Sequence, residues 1–281
     1  MRAELAFEYP LMSHLFQVGV GSGGMVVLDL LARDERIKKI TLIDPDVYKP
    51  HNVVRHYFPA TDSGKKKVEL AARWSRALRP DLEIDALDWD LLDASRYEAI
   101  EAAAKSADIG VCAVDVEPAK FHFDSLMRKF GKPWTLGEVL SGGIGGWVHT
   151  FKPESACYGC MASHLQRNIQ TDRAPPPDYS NPQAAVEETR IPASRAAIGA
   201  IASLHALVTL DLLAGIDPGF TSMLLPLAKV DGIFNEVYKP FRFRIARLPE
   251  CLICGMAGPD LPAGEDLDVA LDQALARLGH E

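Results

Sequence analysis

FQVGVGSGGMVVLDLL, residues 16–31, is the stretch on which the fold turns. The apolar residues before the glycines predict a short buried strand over 15–20, and the run after them predicts a helix over 23–33. Between the two, Gly19, Gly21 and Gly24 fit G-x-G-x-x-G. Glycine allows the tight turn and lets backbone N–H groups approach a phosphate at a helix N-terminus. By itself the pattern fits NAD or FAD as well as ATP, and it also fits a turn that needs small residues only for packing. The next apolar stretch, KKITLIDPD, closes on Asp44 and Asp46 roughly twenty residues further on. Asp44 is placed there to accept hydrogen bonds from a ribose, or to stand as a solvated strand end.

Outward from this core the periods alternate. Residues 64–80 predict a helix with Val68, Leu70, Ala71, Trp74 and Leu78 on its apolar face, and residues 82–91 a third strand. A helix (95–107), a strand (108–116), another helix (118–131) and a fifth strand near 133–140 follow. This alternation predicts an α/β fold, a Rossmann-like doubly wound and mainly parallel sheet. Beyond residue 140 the pattern changes to a C-terminal antiparallel extension: GGIGGWVHTF as one strand, and KVDGIFNEVYKPFRFRIARL (229–248) as two strands with a turn. Residues 171–192, rich in proline and polar side chains, read as a long exposed loop, within which Glu187–Arg190 is a solvated helix start or a cover over a bound tail. The expected organisation is a nucleotide-binding half (1–140), a substrate and cysteine-bearing half of the same domain (141–258), and an acidic C-terminal helix or tail (259–281).

Composition excludes some classes. Hydrophobic residues make up 48% and charged residues 24% of the 281, the balance of an ordinary globular chain. The net charge of −8 argues against broad nucleic-acid binding. The opening MRAELAFEYPLMSH has no long apolar core and no small-residue cleavage site, so no signal peptide is read and a cytoplasmic location is expected. The apolar run 196–215 is long enough to raise the membrane question, but it carries Ser203, His205, Thr209 and Asp211 and reads as a buried helix.

Further motifs choose the nucleotide. DPDVYKPHNVVRHYF, then SGKKKVELA, then AVD form an ordered set. The chain resembles the ThiF/MoeB/HesA family of adenylyltransferases, whose fold also forms the core of ubiquitin-activating enzymes. The matching positions are Asp44 and Asp46, Asn52 and Arg55, Gly64 with Lys67-Val68-Glu69, and Asp115. The resemblance runs from about residue 15 to residue 255. It implies that Asn52, Arg55 and Lys67 contact the phosphates of ATP. The chemistry of these residue types agrees. Adenylation brings a carboxylate onto the α-phosphate and expels pyrophosphate, so cations must surround the triphosphate. Arg55 offers a permanently charged planar fork and Lys67 a point charge. Asp115 can hold Mg²⁺ against the leaving phosphates. The alternative for Lys65–Lys67 is a solvated helix start. An NAD dehydrogenase has no need of so many cations.

Two pairs, Cys157/Cys160 and Cys251/Cys254, form C-x-x-C … C-x-x-C with 90 residues between Cys160 and Cys251. Four thiolates on two tight knuckles suit a closed tetrahedral Zn²⁺ site, a zinc knuckle pair, and the resemblance points the same way. A redox C-x-x-C is the alternative. The odd fifth cysteine, Cys112, reads as a core residue, and the count argues for a reducing compartment. His149 and His164 flank the first pair and are expected at its surface or behind it; Trp134 and Trp147 are read as packing residues.

The chain departs from the family at two places: Val116 stands where an asparagine often follows the metal-binding aspartate, and His56 replaces a frequent glutamine. Residues 161–250 hold no cysteine, so no thioester nucleophile is evident. The only arginine ahead of the glycine loop is Arg2, to which the partner-site role of family dimers is not assigned. The expected function is ATP-dependent adenylation of the C-terminal carboxylate of a ubiquitin-like or sulfur-carrier protein with a flexible tail, in a homodimer, without nucleic acid or membrane. The alternatives are adenylation of a peptide or RNA-linked carboxylate, and a non-catalytic nucleotide-binding scaffold.

Overall fold

The computed structural model describes residues 13–165 and 193–255. The segment with Arg2, the 171–192 loop with Glu187–Arg190, and the acidic tail 259–281 lie outside the described residues. The first half runs β1 (Ser13–Val18), α1 (Ser22–Ala32), β2 (Ile37–Ile43), α2 (Lys67–Leu78), β3 (Glu83–Leu87), α3 (Tyr97–Ser106), β4 (Ile109–Cys112), α4 (Glu117–Lys129) and β5 (Trp134–Val139). The second half adds β6 (Gly145–Phe151), α5 (Tyr158–His164), α6 (Arg195–Leu213), β7 (Ser222–Pro226) and β8 (Phe241–Phe243).

All eight strands share one sheet in the order β3-β2-β1-β4-β5-β6-β7-β8. The first five are mutually parallel, and β6, β7 and β8 each pair antiparallel with the strand before. Order reverses between β1 and β4, and a crevice opens beyond the carboxyl ends of parallel strands at such a point. Alternation along β1 builds two apolar layers. Leu15 faces the layer of α1, α2 and α6, whereas Phe16 and Val18 face that of α3, α4 and α5.

The antiparallel half differs from the sequence expectation in one place. Its middle strand is Ser222–Pro226, ahead of the 229–248 segment, of which only Phe241–Phe243 is strand. Val230 and Phe234 make an isolated bridge around a turn. SMLLP shows no polar/apolar alternation, although β7 lies between β6 and β8 and its Met223 packs in the cluster of Ile201 and Val208 on α6. Helix α6 has the length and composition to cross a membrane. Instead it lies on the sheet: Ile201 and Val208 pack with Val148, Phe220 and Met223. Its polar residues find partners inside the protein. His205 bonds Thr135 at 2.9 Å, and Thr135 bonds Thr209 at 2.8 Å.

Candidate functional site

The glycine loop fills the switch point. Gly19 has φ +89, in the left-handed region, and a Cβ there would lie 2.5 Å from the Ala113 carbonyl oxygen at the end of β4. Gly21 differs: nothing lies within 4 Å of the place its Cβ would occupy. A ligand can therefore approach the backbone at Gly21 closely, while Gly19 and Gly24 are required by packing. No side chain caps α1 at Gly21, so its first N–H groups face the crevice without a capping acceptor.

Three buried side chains hold this loop. Gln17 Nε2 donates to the carbonyls of Gly19 (3.1 Å) and Gly24 (2.9 Å). Asp44 Oδ2 accepts from Val20 N–H at 2.7 Å and Oδ1 from Asp46 N–H at 2.9 Å. Burial pushes the Asp44 carboxyl up, against the opposing charge of Lys67. Asp44 is thus a loop brace, with its remaining lone pairs the ones left for a ribose. His56 Nδ1 accepts from Tyr57 N–H at 2.9 Å, which leaves the proton on Nε2, 3.0 Å from the Val20 carbonyl. Burial lowers its pKa to about 4, so it is neutral at pH 7. The residue that departs from the family pattern therefore acts as a fixed donor to the loop.

The cations are arranged around these braces. Lys67 opens α2 with only 8% of its surface exposed, and its Nζ donates to Asp46 Oδ2 at 2.5 Å. It is not a solvated helix start, whereas Lys65 and Lys66 turn outward to Asp62 (2.7 Å) and Asp88 (3.6 Å). Asn52 is buried, and its Oδ1 accepts from Lys49 N–H at 2.9 Å. Arg55 follows on the same turn, its N–H donating to the Asn52 carbonyl at 3.0 Å. One contributor escaped the sequence reading. Arg195, the first residue of α6, donates to the Arg55 carbonyl at 2.8 Å and lies 4.4 Å over the Tyr57 ring. Asp115 is exposed in the coil between β4 and α4, just beyond the Ala113–Val114 segment that packs on Gly19.

A second centre lies on the α4 side. The Sγ atoms of Cys157, Cys160, Cys251 and Cys254 all lie within 4.8 Å of one another. Cys157 is 3.7 Å from Cys160 and 3.5 Å from Cys251, and Cys160 is 3.4 Å from Cys254. A tetrahedral ion with bonds of about 2.3 Å needs sulfurs about 3.8 Å apart, so the cluster fits Zn²⁺ with no position open. Convergence of both pairs on one point disfavours the redox alternative, in which each pair works alone. N–H groups of Cys160 and Leu248 point at the Cys157 and Cys160 sulfurs, at 3.4 and 3.3 Å. Cys112 is fully buried in β4, and burial pushes its thiol up to about 12. His149 is neither a ligand nor a surface group: it is buried between Glu138 (3.3 Å) and Ser222 (2.8 Å), while His164 is exposed at the end of α5.

Lys67 bonds Asp46 beside the Asp44 brace, the Asn52–Arg55 turn leads into His56, which bonds the loop at Val20, and Asp115 follows the Ala113–Val114 segment that packs on Gly19. The ThiF family model matches residues 11–252. The chain belongs to the ThiF family. Among its relatives, the SAMP-activating enzyme E1 of Haloferax volcanii is 24% identical over 259 residues, covering 92% of this chain and 85% of that protein. Ubiquitin-like modifier-activating enzyme 5 of Bombyx mori is 26% identical over 151 residues, and the match spans only 38% of that protein's length. Among solved structures, E. coli MccB with ATP matches at a TM-score of 0.65 and 18% identity, over 86% of this chain and 67% of that one. This last likeness shows a shared ThiF-type fold.

Proposed function

We propose that this ThiF-family chain adenylates the C-terminal carboxylate of a ubiquitin-like or sulfur-carrier protein. The observation that supports the reading is that Lys67 and the Asn52–Arg55 turn adjoin the groups that brace the glycine loop, whose backbone is open at Gly21. The likeness to the SAMP-activating enzyme across most of both chains supports the substrate class. A carboxylate oxygen attacks the α-phosphate, the bond to the bridging oxygen breaks, and pyrophosphate leaves with that electron pair. The N-terminus of α1 and the Lys67 and Arg55 charges stabilise the oxygens on which negative charge grows. Asp115 would hold Mg²⁺, which neutralises the leaving phosphates when bound. The four cysteines would hold a structural Zn²⁺.

The acyl-adenylate is then the product of this chain, released as such or handed to a partner's cysteine. Cys112 is sealed in the sheet, and the other four cysteines form the metal cluster. Free thiols throughout fit a reducing, cytoplasmic setting, and a homodimer is the assembly proposed. A peptide substrate is the second reading, favoured by the shared fold with MccB, which has been solved in complex with its peptide MccA. Val116 in place of the family asparagine favours a scaffold without activity.

Exchange of labelled pyrophosphate into ATP separates these. Exchange that needs a small carrier ending in Gly-Gly supports the first reading, and exchange with a short peptide alone supports the second. Tight Mg-ATP binding with no exchange under either condition leaves the scaffold.

A further inference from the structure

The metal knuckle and the Asp115 coil are joined by side chains. Tyr158 lies inside the first C-x-x-C pair and is fully buried, its ring edge-on to Phe121 at 4.8 Å. Its hydroxyl donates to Glu117 Oε2 at 2.6 Å. Glu117 is the first residue of α4, two positions after Asp115. Its other oxygen accepts from Lys120 Nζ at 2.7 Å, and the same ammonium donates to Glu138 Oε1 at 2.6 Å. Lys120 is only 4% exposed; burial alone would lower its pKa, but the Glu138 and Glu117 carboxylates outweigh that and hold it above its usual value. Glu138 Oε2 continues the chain to His149 at 3.3 Å, and His149 to Ser222 at 2.8 Å.

The Asp115 coil needs such an anchor. Upstream it is fixed by Ala113 N–H on the Val18 carbonyl at 2.9 Å. Downstream, the residue flanking α4 is Val116, whose side chain offers no cap. The start of α4 is held instead through the Glu117 carboxylate, and the group that holds it from the far side is the knuckle tyrosine. Both flanks of Asp115 are therefore fixed, one by the sheet and one by the cysteine cluster.

We propose that Tyr158 is a positioning residue: through Glu117 it sets the Asp115 carboxylate at the distance that a magnesium-bound triphosphate requires. The cysteine knuckle is then part of the apparatus of the crevice as well as a staple between distant segments. The proposal rests on the reading of Asp115 as the magnesium-holding carboxylate.

Tyr158→Phe removes one hydroxyl and leaves the packed ring in place. The expected result is a rise of about tenfold in the magnesium concentration for half-maximal pyrophosphate exchange, the size of one hydrogen bond to a charged group. Metal content should stay at the parent value, and the melting temperature should fall by only a few degrees. Glu117→Gln, which keeps the shape but loses the pairing with Lys120, should shift the magnesium dependence in the same direction. A double-mutant cycle read by calorimetry of Mg-ATP binding gives the decisive comparison. If Tyr158 acts through Asp115, Tyr158→Phe changes nothing further in an Asp115→Ala background. Equal losses in both backgrounds, or an unshifted magnesium dependence in the parent, overturn the tether. Asp115→Ala with undiminished Mg-ATP binding removes the reading beneath it, and the proposal falls with that reading.

Discussion

The two halves of the sheet are held by different means. Around the glycine loop, every brace is a protein group working at short range: Gln17, Asp44 and His56 each bond loop backbone directly. Around the antiparallel half, cohesion comes from four sulfurs converging from residues 157 and 251 and from the buried Lys120–Glu138–His149 chain. The first arrangement is complete when β1, α1 and the 52–57 turn meet. The second brings four thiols to one point, a cluster that fits a cation. The glycine loop is thus braced by hydrogen bonds alone, whereas the cysteine-bearing half gathers four thiols that fit a cation.

Breaking the crevice itself gives the largest effect. Asp115→Ala should lower pyrophosphate exchange by about 10³-fold or more while leaving the melting curve near the parent, because Asp115 is exposed in coil. Exchange at the parental rate would refute the assignment. Removing the metal is the next largest test, and it acts on the other half. Stripped protein, or Cys157→Ser, should lose on the order of several kcal/mol of stability. Hydrogen exchange should accelerate in α5 and around residues 245–255 and stay slow in α1 and β1. Uniform acceleration across both halves would erase the contrast. Elemental analysis of fresh protein should find one zinc per chain.

How much of this was legible in the sequence follows the same division. The parallel half is written in local signals: apolar runs of strand length, glycines at the turn, helical periods between. The order of Asp44, Asp46, Asn52, Arg55, Lys67 and Asp115 along the chain was enough to reach the family. What brings a residue in from afar was not legible. Gln17 and His56 are ordinary in sequence and become braces only when β1, α1 and the 52–57 turn meet. Arg195 is separated from Arg55 by 140 positions. Strand β7 was missed because SMLLP lacks alternation, even though Pro218-Gly219 marks a turn before it. Helix α5 was missed because it is seven residues long and its start is fixed by a sulfur, the Cys157 side chain accepting from Cys160 N–H.

A pH titration sharpens the comparison, because His56 in one half and His205 in the other are both buried with lowered pKa values. Burial lowers His56 in the crevice and His205 beneath α6 from 6.5 to about 4. The unfolded chain takes up these protons from about pH 6.5 downward, while the folded chain resists until about pH 4. Stability is therefore full above pH 6.5 and falls as pH drops through that window, by up to roughly 3 kcal/mol for each histidine. His56→Gln keeps a donor for the Val20 carbonyl and cannot be protonated. It should flatten the slope of stability between pH 6.5 and 4 by the share of one histidine, His14 and His122 adding to the remainder, measured by urea unfolding at several pH values. A slope unchanged by the substitution would place the proton uptake elsewhere.

The smallest expected effect tests whether the halves communicate at Arg195. This residue begins α6, which packs on the antiparallel strands, yet its guanidinium bonds the Arg55 carbonyl and stacks on Tyr57 in the nucleotide half. A stack of this kind is worth about 1 kcal/mol, and the bond to a carbonyl about as much again. Arg195→Ala should therefore raise the ATP concentration for half-maximal exchange by roughly three- to tenfold, with little change in the maximal rate. Arg195→Lys separates charge from geometry. Lysine keeps the positive charge but loses the planar fork and the face-on stack. If Arg195 serves the triphosphate by its field, Lys restores most of the affinity. If it serves by fixing the Asn52–Arg55 turn, Lys behaves like Ala, and the link between the two halves is steric.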